Sequence, residues 1–124
     1  MEIIRLVCLV FCTFFIVSCS YKTINVNEIK GVYVSDFHSD EVNVCRPSDV
    51  DLSHNDVHIF FLRAKIISLK TMHDHYNYAP CYIEGTLVYH SVFCEWEIRA
   101  GSTGRIKCKR DEWYFACDAC DDLF

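Results

Sequence analysis

The chain has 124 residues, of which 52% are hydrophobic and 23% are charged, and it contains nine Cys, four Gly and two Pro. This composition excludes disordered and collagen-like proteins and is typical of one small packed domain. Seventeen acidic residues against twelve basic ones give a formal net charge of −5. That charge has the wrong sign for neutralising phosphates, so we expect no nucleic-acid partner.

The N-terminus has the pattern of an export signal. Residues 6–17 are almost purely apolar. This run is too short for a membrane-spanning helix of roughly 20 residues, but it matches the apolar segment of a signal peptide. It ends in residues 16–19, Ile-Val-Ser-Cys, which resemble the bacterial lipobox that precedes a lipid-modified Cys. The resemblance implies a signal peptide over residues 1–18 and a palmitate-type acyl chain on Cys19.

A lipid on Cys19 would divide the mature chain into a tether over residues 19–28 and a single globular domain over residues 29–124. In such lipoproteins two or three acyl chains anchor the protein stably at a membrane, where a single chain would not. Ser20 is not the Asp that is associated with inner-membrane retention, which favours an outer-membrane lipoprotein facing the periplasm. Two alternatives remain open. Cleavage without lipidation gives a secreted or periplasmic protein, and an uncleaved apolar run stays in the membrane as an anchor.

Six Cys follow the lipidation site. They are Cys45, Cys81, Cys94, Cys108, Cys117 and Cys120. An even number of Cys in a small exported domain is typical of a disulfide framework. Each bridge contributes about 2–4 kcal/mol to stability, mainly by restricting the unfolded chain. We therefore expect up to three disulfides.

Alternating apolar residues predict most of the strands. Residues 29–37 and 42–45 predict two strands in the N-terminal half, and residues 81–89 and 113–116 predict two in the C-terminal half. Between them, residues 54–65 predict a helix, because a capping-box pattern precedes apolar residues at helical spacing. Ser53 and Asp56 form that pattern, and the spaced residues are Val57, Phe60, Phe61 and Ala64.

The strongest local pattern is a β-hairpin. Cys94, Trp96 and Ile98 alternate with polar residues, and a turn-forming cluster follows at residues 101–104. A turn centred on Gly101 places Trp96 opposite the next apolar residue of the same parity, Ile106. Together the elements predict an α+β fold, a small antiparallel β-meander of about four strands with one covering helix, held by disulfides.

The hairpin register also predicts one disulfide. With the turn at Gly101, Cys94 lies opposite Cys108, and the two sulfurs can bond across the strands. A shift of one residue moves each facing pair out of register. In that arrangement Cys94 bonds to Cys81 or Cys117 on a neighbouring strand.

Two groups of residues have spacings that suggest chemistry. Cys117 and Cys120 form a C-x-x-C, but no predicted helix follows to lower a thiol pKa, so we expect one or both sulfurs to form structural bridges, with partners left open. His73 and His75 would point the same way on a strand and bind zinc with Glu84, but further ligands are not identifiable. We therefore predict no catalytic residues, no metal site and no cofactor.

An aromatic and acidic group of residues predicts a binding surface. Tyr and Trp favour protein interfaces because they offer a large rigid area with a polar tip. The predicted partner-binding residues are Tyr76, Tyr78, Tyr82, Glu84 and Trp113.

The C-terminal segment over residues 73–124 also carries a resemblance. Its stretches over residues 79–87, Ala-Pro-Cys-Tyr-Ile-Glu-Gly-Thr-Leu, and residues 94–101, Cys-Glu-Trp-Glu-Ile-Arg-Ala-Gly, resemble small, uncharacterised Cys-rich exported proteins of Gram-negative bacteria. This resemblance implies a location in the cell envelope and no particular activity.

The sequence thus favours a non-catalytic outer-membrane or periplasmic lipoprotein that binds a protein partner. An immunity protein against an envelope-acting toxin is one such protein. The alternative is a small metal-binding protein that uses His73 and His75, or a thiol-redox protein that uses Cys117 and Cys120.

Overall fold

The structure is a computed structural model that describes residues 23–41 and 43–124. The predicted signal peptide, Cys19 and the start of the predicted tether lie outside these residues. The described chain forms six strands and two helices. The strands are β1 (Ile29–Ser39), β2 (Lys65–Ile67), β3 (Cys81–Tyr89), β4 (Val92–Arg99), β5 (Thr103–Cys108) and β6 (Asp111–Ala116), and the helices are α1 (His54–Arg63) and α2 (Leu69–His75).

All six strands belong to one sheet in the order β1-β3-β4-β5-β6-β2, and every neighbouring pair is antiparallel. Strands β3 to β6 form a meander of four strands, and β1 and β2 add one strand at each side. The α+β prediction is confirmed, with six strands and a second helix as the finer detail. The second helix, α2, has seven residues, and a segment of that length shows too little periodicity to predict from sequence.

The predicted hairpin register is confirmed. Trp96 faces Ile106, and Ile98 faces Gly104. At the turn, Ser102 adopts a positive φ of 62°, and its backbone N–H donates to the carbonyl of Arg99.

Three disulfides join the six predicted Cys. Cys94 bonds to Cys108 across β4 and β5, as predicted, with their Cα atoms 4.5 Å apart. The other two bridges are Cys45–Cys81 and Cys117–Cys120. The first ties the segment before α1 to the start of β3, and the second closes the turn after β6.

Helix α1 begins where the capping pattern predicts. The Ser53 hydroxyl accepts from the Asp56 backbone N–H at 3.1 Å, and the Asp56 carboxylate accepts from the Ser53 N–H at 3.0 Å. These two bonds satisfy N–H groups that have no partner inside the helix. Val57, Phe60 and Phe61 are fully buried, so the predicted apolar face of α1 is the one that packs on the sheet.

The contact between α1 and the sheet is close because Gly104 lies beneath it. A Cβ atom at Gly104 would lie 2.8 Å from the Phe60 ring and 3.3 Å from the Phe61 ring. Phe61 also makes edge-to-face contacts with Phe115 and Trp96, with ring centroids 5.1 and 6.4 Å apart. The hydrophobic core therefore lies between α1 and one face of the sheet, which we call the core face.

The predicted strand over residues 42–45 is not present in its described part. Val42 lies outside the described residues, and Asn43 has a positive φ of 65°, a left-handed conformation that ends an extended strand. Cys45, two residues later, bonds to Cys81. A segment that the sequence pattern predicts as a strand is therefore irregular, and the disulfide holds it in place.

Residues before β1 also contribute to the core. Ile24 is 7% exposed and belongs to the buried cluster, and the Asn25 backbone N–H donates to the Tyr89 hydroxyl at 3.1 Å. The packed domain therefore includes residue 24. Among the described residues, no helix has the length and apolar character needed to cross a membrane.

We predict that replacing both Cys94 and Cys108 with Ala destabilises the domain by about 3 kcal/mol in urea unfolding, because this bridge spans 14 residues. The matched control replaces Cys117 and Cys120, which are similarly buried but only three residues apart. Loop entropy gives that bridge about 2 kcal/mol. A larger loss in the control, or no loss in the hairpin variant, would contradict the account.

Candidate binding surface on the polar face of the sheet

The sheet face opposite α1 carries polar and aromatic side chains, and we call it the polar face. It arises because successive residues of a strand point to opposite sides. On β3 the core face takes Ile83, so its neighbours Tyr82 and Glu84 point the other way. On β4 the core face takes Ile98, which places Glu97 and Arg99 on the polar face.

Arg99 forms the centre of this face through its hydrogen bonds. Its Nε donates to Glu97 Oε1 at 2.6 Å, and its Nη1 donates to Asp40 Oδ2 and to the Ala79 carbonyl, both at 2.9 Å. The Arg99 side chain is 20% exposed. Charge-assisted bonds to two carboxylates hold the guanidinium in one orientation.

Two tyrosine rings enclose the same guanidinium. The Arg99 Cζ lies 4.8 Å from the centre of the Tyr78 ring and 4.5 Å from the centre of the Tyr82 ring. Both distances are in the range of cation–π attraction. We define the Arg99 cluster as Arg99, Tyr78, Tyr82, Asp40 and Glu97.

Hydrogen bonding shifts the pKa values of two groups in the Arg99 cluster. The Tyr78 hydroxyl donates to the Asp40 carboxylate, and this bond, followed by the one from Arg99, lowers the pKa of Asp40. The same bond raises the pKa of Tyr78. Burial raises the pKa of Tyr82, and nearby carboxylates add to that increase. At neutral pH the cluster therefore combines an ionised Asp40 with protonated tyrosines.

A groove of about 380 Å³ lies beside the Arg99 cluster, between the polar face and α2. Arg105, at one side of it, bonds to Glu97 at 3.3 Å and to Glu112 at 3.1 Å. Apolar and polar groups thus line the groove together. Residues along α2 and the segment after it are Leu69, Met72, His73, Tyr76, Asn77 and Tyr78, and residues of the sheet are Glu97, Arg99, Thr103 and Arg105.

Four of the five predicted partner-binding residues lie on or beside the polar face. Tyr82 and Glu84 are half-buried on β3, and Tyr78 is 66% exposed. Tyr76 lines the groove, and its hydroxyl donates to Asp118 at 3.1 Å.

The fifth residue, Trp113, does not lie on this surface. It is 7% exposed and faces Ile106 on the core face, where its ring packs edge-on against Tyr89. The parity of β6 explains this position, because Trp113 alternates with Glu112 and shares the core face with Phe115.

The central residue of the face, Arg99, is absent from the partner-binding residues predicted from sequence. Arg99 directly follows the core residue Ile98 in the alternating stretch of β4, so its side chain points to the other side of the sheet. That signal alone locates it on the polar face. Asp40 has no such signal, since it lies 59 residues from Arg99 in the chain.

His73 and His75 do not form the arrangement considered from sequence. Both lie on helix α2, where residues two positions apart point about 200° from each other. Within the described residues, the cluster that gathers three metal-ligating atoms within 4.8 Å of one another contains Glu84 with Asp36 and His38 instead.

Cys117 and Cys120 are bonded to each other and are 2% and 0% exposed. A redox cysteine pair needs a partially exposed, electropositive environment. The arrangement here is that of a buried structural bridge.

Comparison of the chain with protein-family models, curated proteins and solved structures finds no match. The candidate site is therefore defined by the geometry of this chain alone.

We predict that Tyr78→Phe raises the pKa of Asp40 toward its ordinary value of 3.8, because the largest stabilisation of the ionised carboxylate is lost. NMR titration of the Asp40 carboxyl carbon measures this change. The native Asp40 stabilises the fold above pH 3.8, and this contribution disappears as the pH falls through its lowered pKa. The variant therefore loses less stability on acidification.

The control for this titration is Tyr114→Phe. Tyr114 lies on β6 beside Glu112 and is not among the groups that shift the Asp40 pKa. An unchanged Asp40 pKa in Tyr78→Phe, or equal changes in both variants, would show that the Tyr78 hydroxyl does not hold the carboxylate.

Proposed function

We propose that this chain is a non-catalytic exported protein whose domain binds a protein partner through the polar face. The observation that carries the proposal is the Arg99 cluster, in which an exposed Tyr78 ring packs against a fixed guanidinium. Tyr and Arg are among the residue types enriched in the positions that dominate binding energy at interfaces.

The cluster is suited to binding because it is ordered before a partner arrives. Binding usually costs free energy to immobilise long side chains, about 0.5–1.5 kcal/mol for each. Arg99 is already held by Asp40, Glu97 and the Ala79 carbonyl. Its interaction with a partner would therefore lose little side-chain entropy.

The adjoining groove defines the chemistry of the partner segment. Leu69 and Met72 offer an apolar wall, whereas Glu97 and Arg105 offer both a hydrogen-bond acceptor and donors. A partner loop with one apolar side chain flanked by polar groups complements this combination. Such mixed surfaces are typical of non-obligate protein interfaces.

We place the protein in the cell envelope. The export pattern and the three disulfides support this location, since disulfides persist in oxidising compartments. In the full proposal Cys19 is lipidated and the protein is an outer-membrane lipoprotein facing the periplasm, or it is secreted or periplasmic without the lipid. An immunity protein against an envelope-acting toxin fits a small, acidic binding domain of this kind.

Site-specific photocrosslinking in the organism that makes the protein tests the binding face. We expect a crosslinker at position 78 to give one defined adduct, and a crosslinker at position 62 to give none. Leu62 is the control because its side chain is also exposed, at 44%, but lies on α1, which covers the opposite face of the sheet. Equal adducts at the two positions, or none at position 78, would refute the proposed face.

Binding measurements with the captured partner then test the cluster itself. We expect Tyr82→Ala to weaken the affinity by at least about 5-fold, as for a residue that supports a dominant contact. Tyr33→Ala is the control, since Tyr33 is another exposed tyrosine, at 57% exposure. An unchanged affinity in Tyr82→Ala, or the same loss in both variants, would contradict the role of the Arg99 cluster.

A further inference from the structure

Three potential metal ligands meet on the polar face at the β1 side of the sheet. Asp36 and His38 lie on β1 and Glu84 on β3, and one ligand atom from each lies within 4.8 Å of the other two. Asp36 and His38 are two positions apart on a strand, so their side chains point to the same side. The pairing of β1 with β3 is irregular between Val34 and Asp36, and this irregularity sets which side of the sheet the following side chains face. Such bulges commonly re-aim side chains beside functional sites.

The two carboxylates occupy an unfavourable position for the sheet. Asp36 lies directly opposite Glu84 in the β1–β3 register, and like charges in that position destabilise an antiparallel pair. Within residues 23–41 and 43–124, neither carboxylate has a Lys or Arg at ion-pair distance. Glu84 Oε1 instead lies 2.8 Å from His38 Nε2. A cation between the carboxylates would remove this repulsion.

The imidazole of His38 is held in place by its neighbours. Its ring stacks on Tyr82 with centroids 5.3 Å apart and an interplanar angle of 26°, and Tyr82 in turn packs against Arg99. The side chains of His38 and Glu84 are 42% and 45% exposed. The three ligands therefore have a fixed imidazole and an open side through which an ion can enter.

We propose that Asp36, His38 and Glu84 bind one divalent transition-metal cation, Zn²⁺. One imidazole with two carboxylates is a donor set that suits zinc, and solvent would complete the tetrahedral coordination. Bond lengths to zinc place neighbouring ligand atoms about 3.4 Å apart. On zinc binding, a change of rotamer would bring the exposed Asp36 carboxylate closer to the other two ligands. The Glu84 carboxylate would move slightly away from His38. This site does not depend on the protein-binding proposal.

Isothermal titration of the intact, metal-free chain with Zn²⁺ tests the site. We expect one ion per chain in the wild type, and at least about 10-fold weaker binding in His38→Gln and in Asp36→Asn. Zinc should also raise the melting temperature of the wild type more than that of Asp36→Asn, because stabilisation by a bound ion decreases as its affinity decreases.

The control variant is His90→Gln. His90 contacts Glu28 on the surface, with side chains 61% and 49% exposed, but no third ligand of the described chain joins that pair. Zinc affinity should be unchanged in this variant. The proposal is overturned by the absence of one-to-one binding, by equal losses in the His38 and His90 variants, or by a preference for Ca²⁺ over Zn²⁺, which would leave the imidazole without a role.

Discussion

Strands β4 and β5 face each other residue by residue from Arg99 and Thr103 at the turn to the Cys94–Cys108 disulfide at the far end. Side chains alternate with a period of two, so a slip of one residue in this pairing would turn the apolar side chains of one strand to the polar face of the other. The covalent bond holds one end of the hairpin and the tight turn holds the other. Every residue of the core face and of the polar face on β4 and β5 depends on this register.

The two faces have different physical roles. On the core face, α1 packs its phenylalanines against Gly104 and excludes water, which is the main source of stability in a domain of this size. The polar face instead carries charged side chains. Arg99 lies at its centre, and the opposed carboxylates of Asp36 and Glu84 lie at its edge. Natural proteins often retain arrangements that reduce stability where a ligand or partner must bind. The unfavourable carboxylate pair is such an arrangement.

The parts of this fold that could be predicted from sequence are those with local signals. The hairpin around residue 101 combines strict alternation with a turn cluster, and α1 combines a capping box with apolar residues at helical spacing. Strand β2 has three residues, which is too few to show alternation. The binding surface was only partly predictable, because the contact of Arg99 with Asp40 and that of His38 with Glu84 join residues far apart in the chain. No local pattern encodes such contacts.

We propose that the polar face is arranged for binding rather than for stability, and the variant Glu84→Gln tests this most directly. Gln keeps an oxygen that can accept from His38 but removes the charge that faces Asp36. Urea unfolding in metal-free buffer at pH 8 should give a free energy of unfolding that is unchanged or about 0.2–1 kcal/mol higher. Its neighbour Ile83, on the core face, is the control, since Ile83→Ala should lose about 2–5 kcal/mol. A loss of more than about 1 kcal/mol in Glu84→Gln would contradict the account, because Glu84 would then be a stabilising element of the sheet.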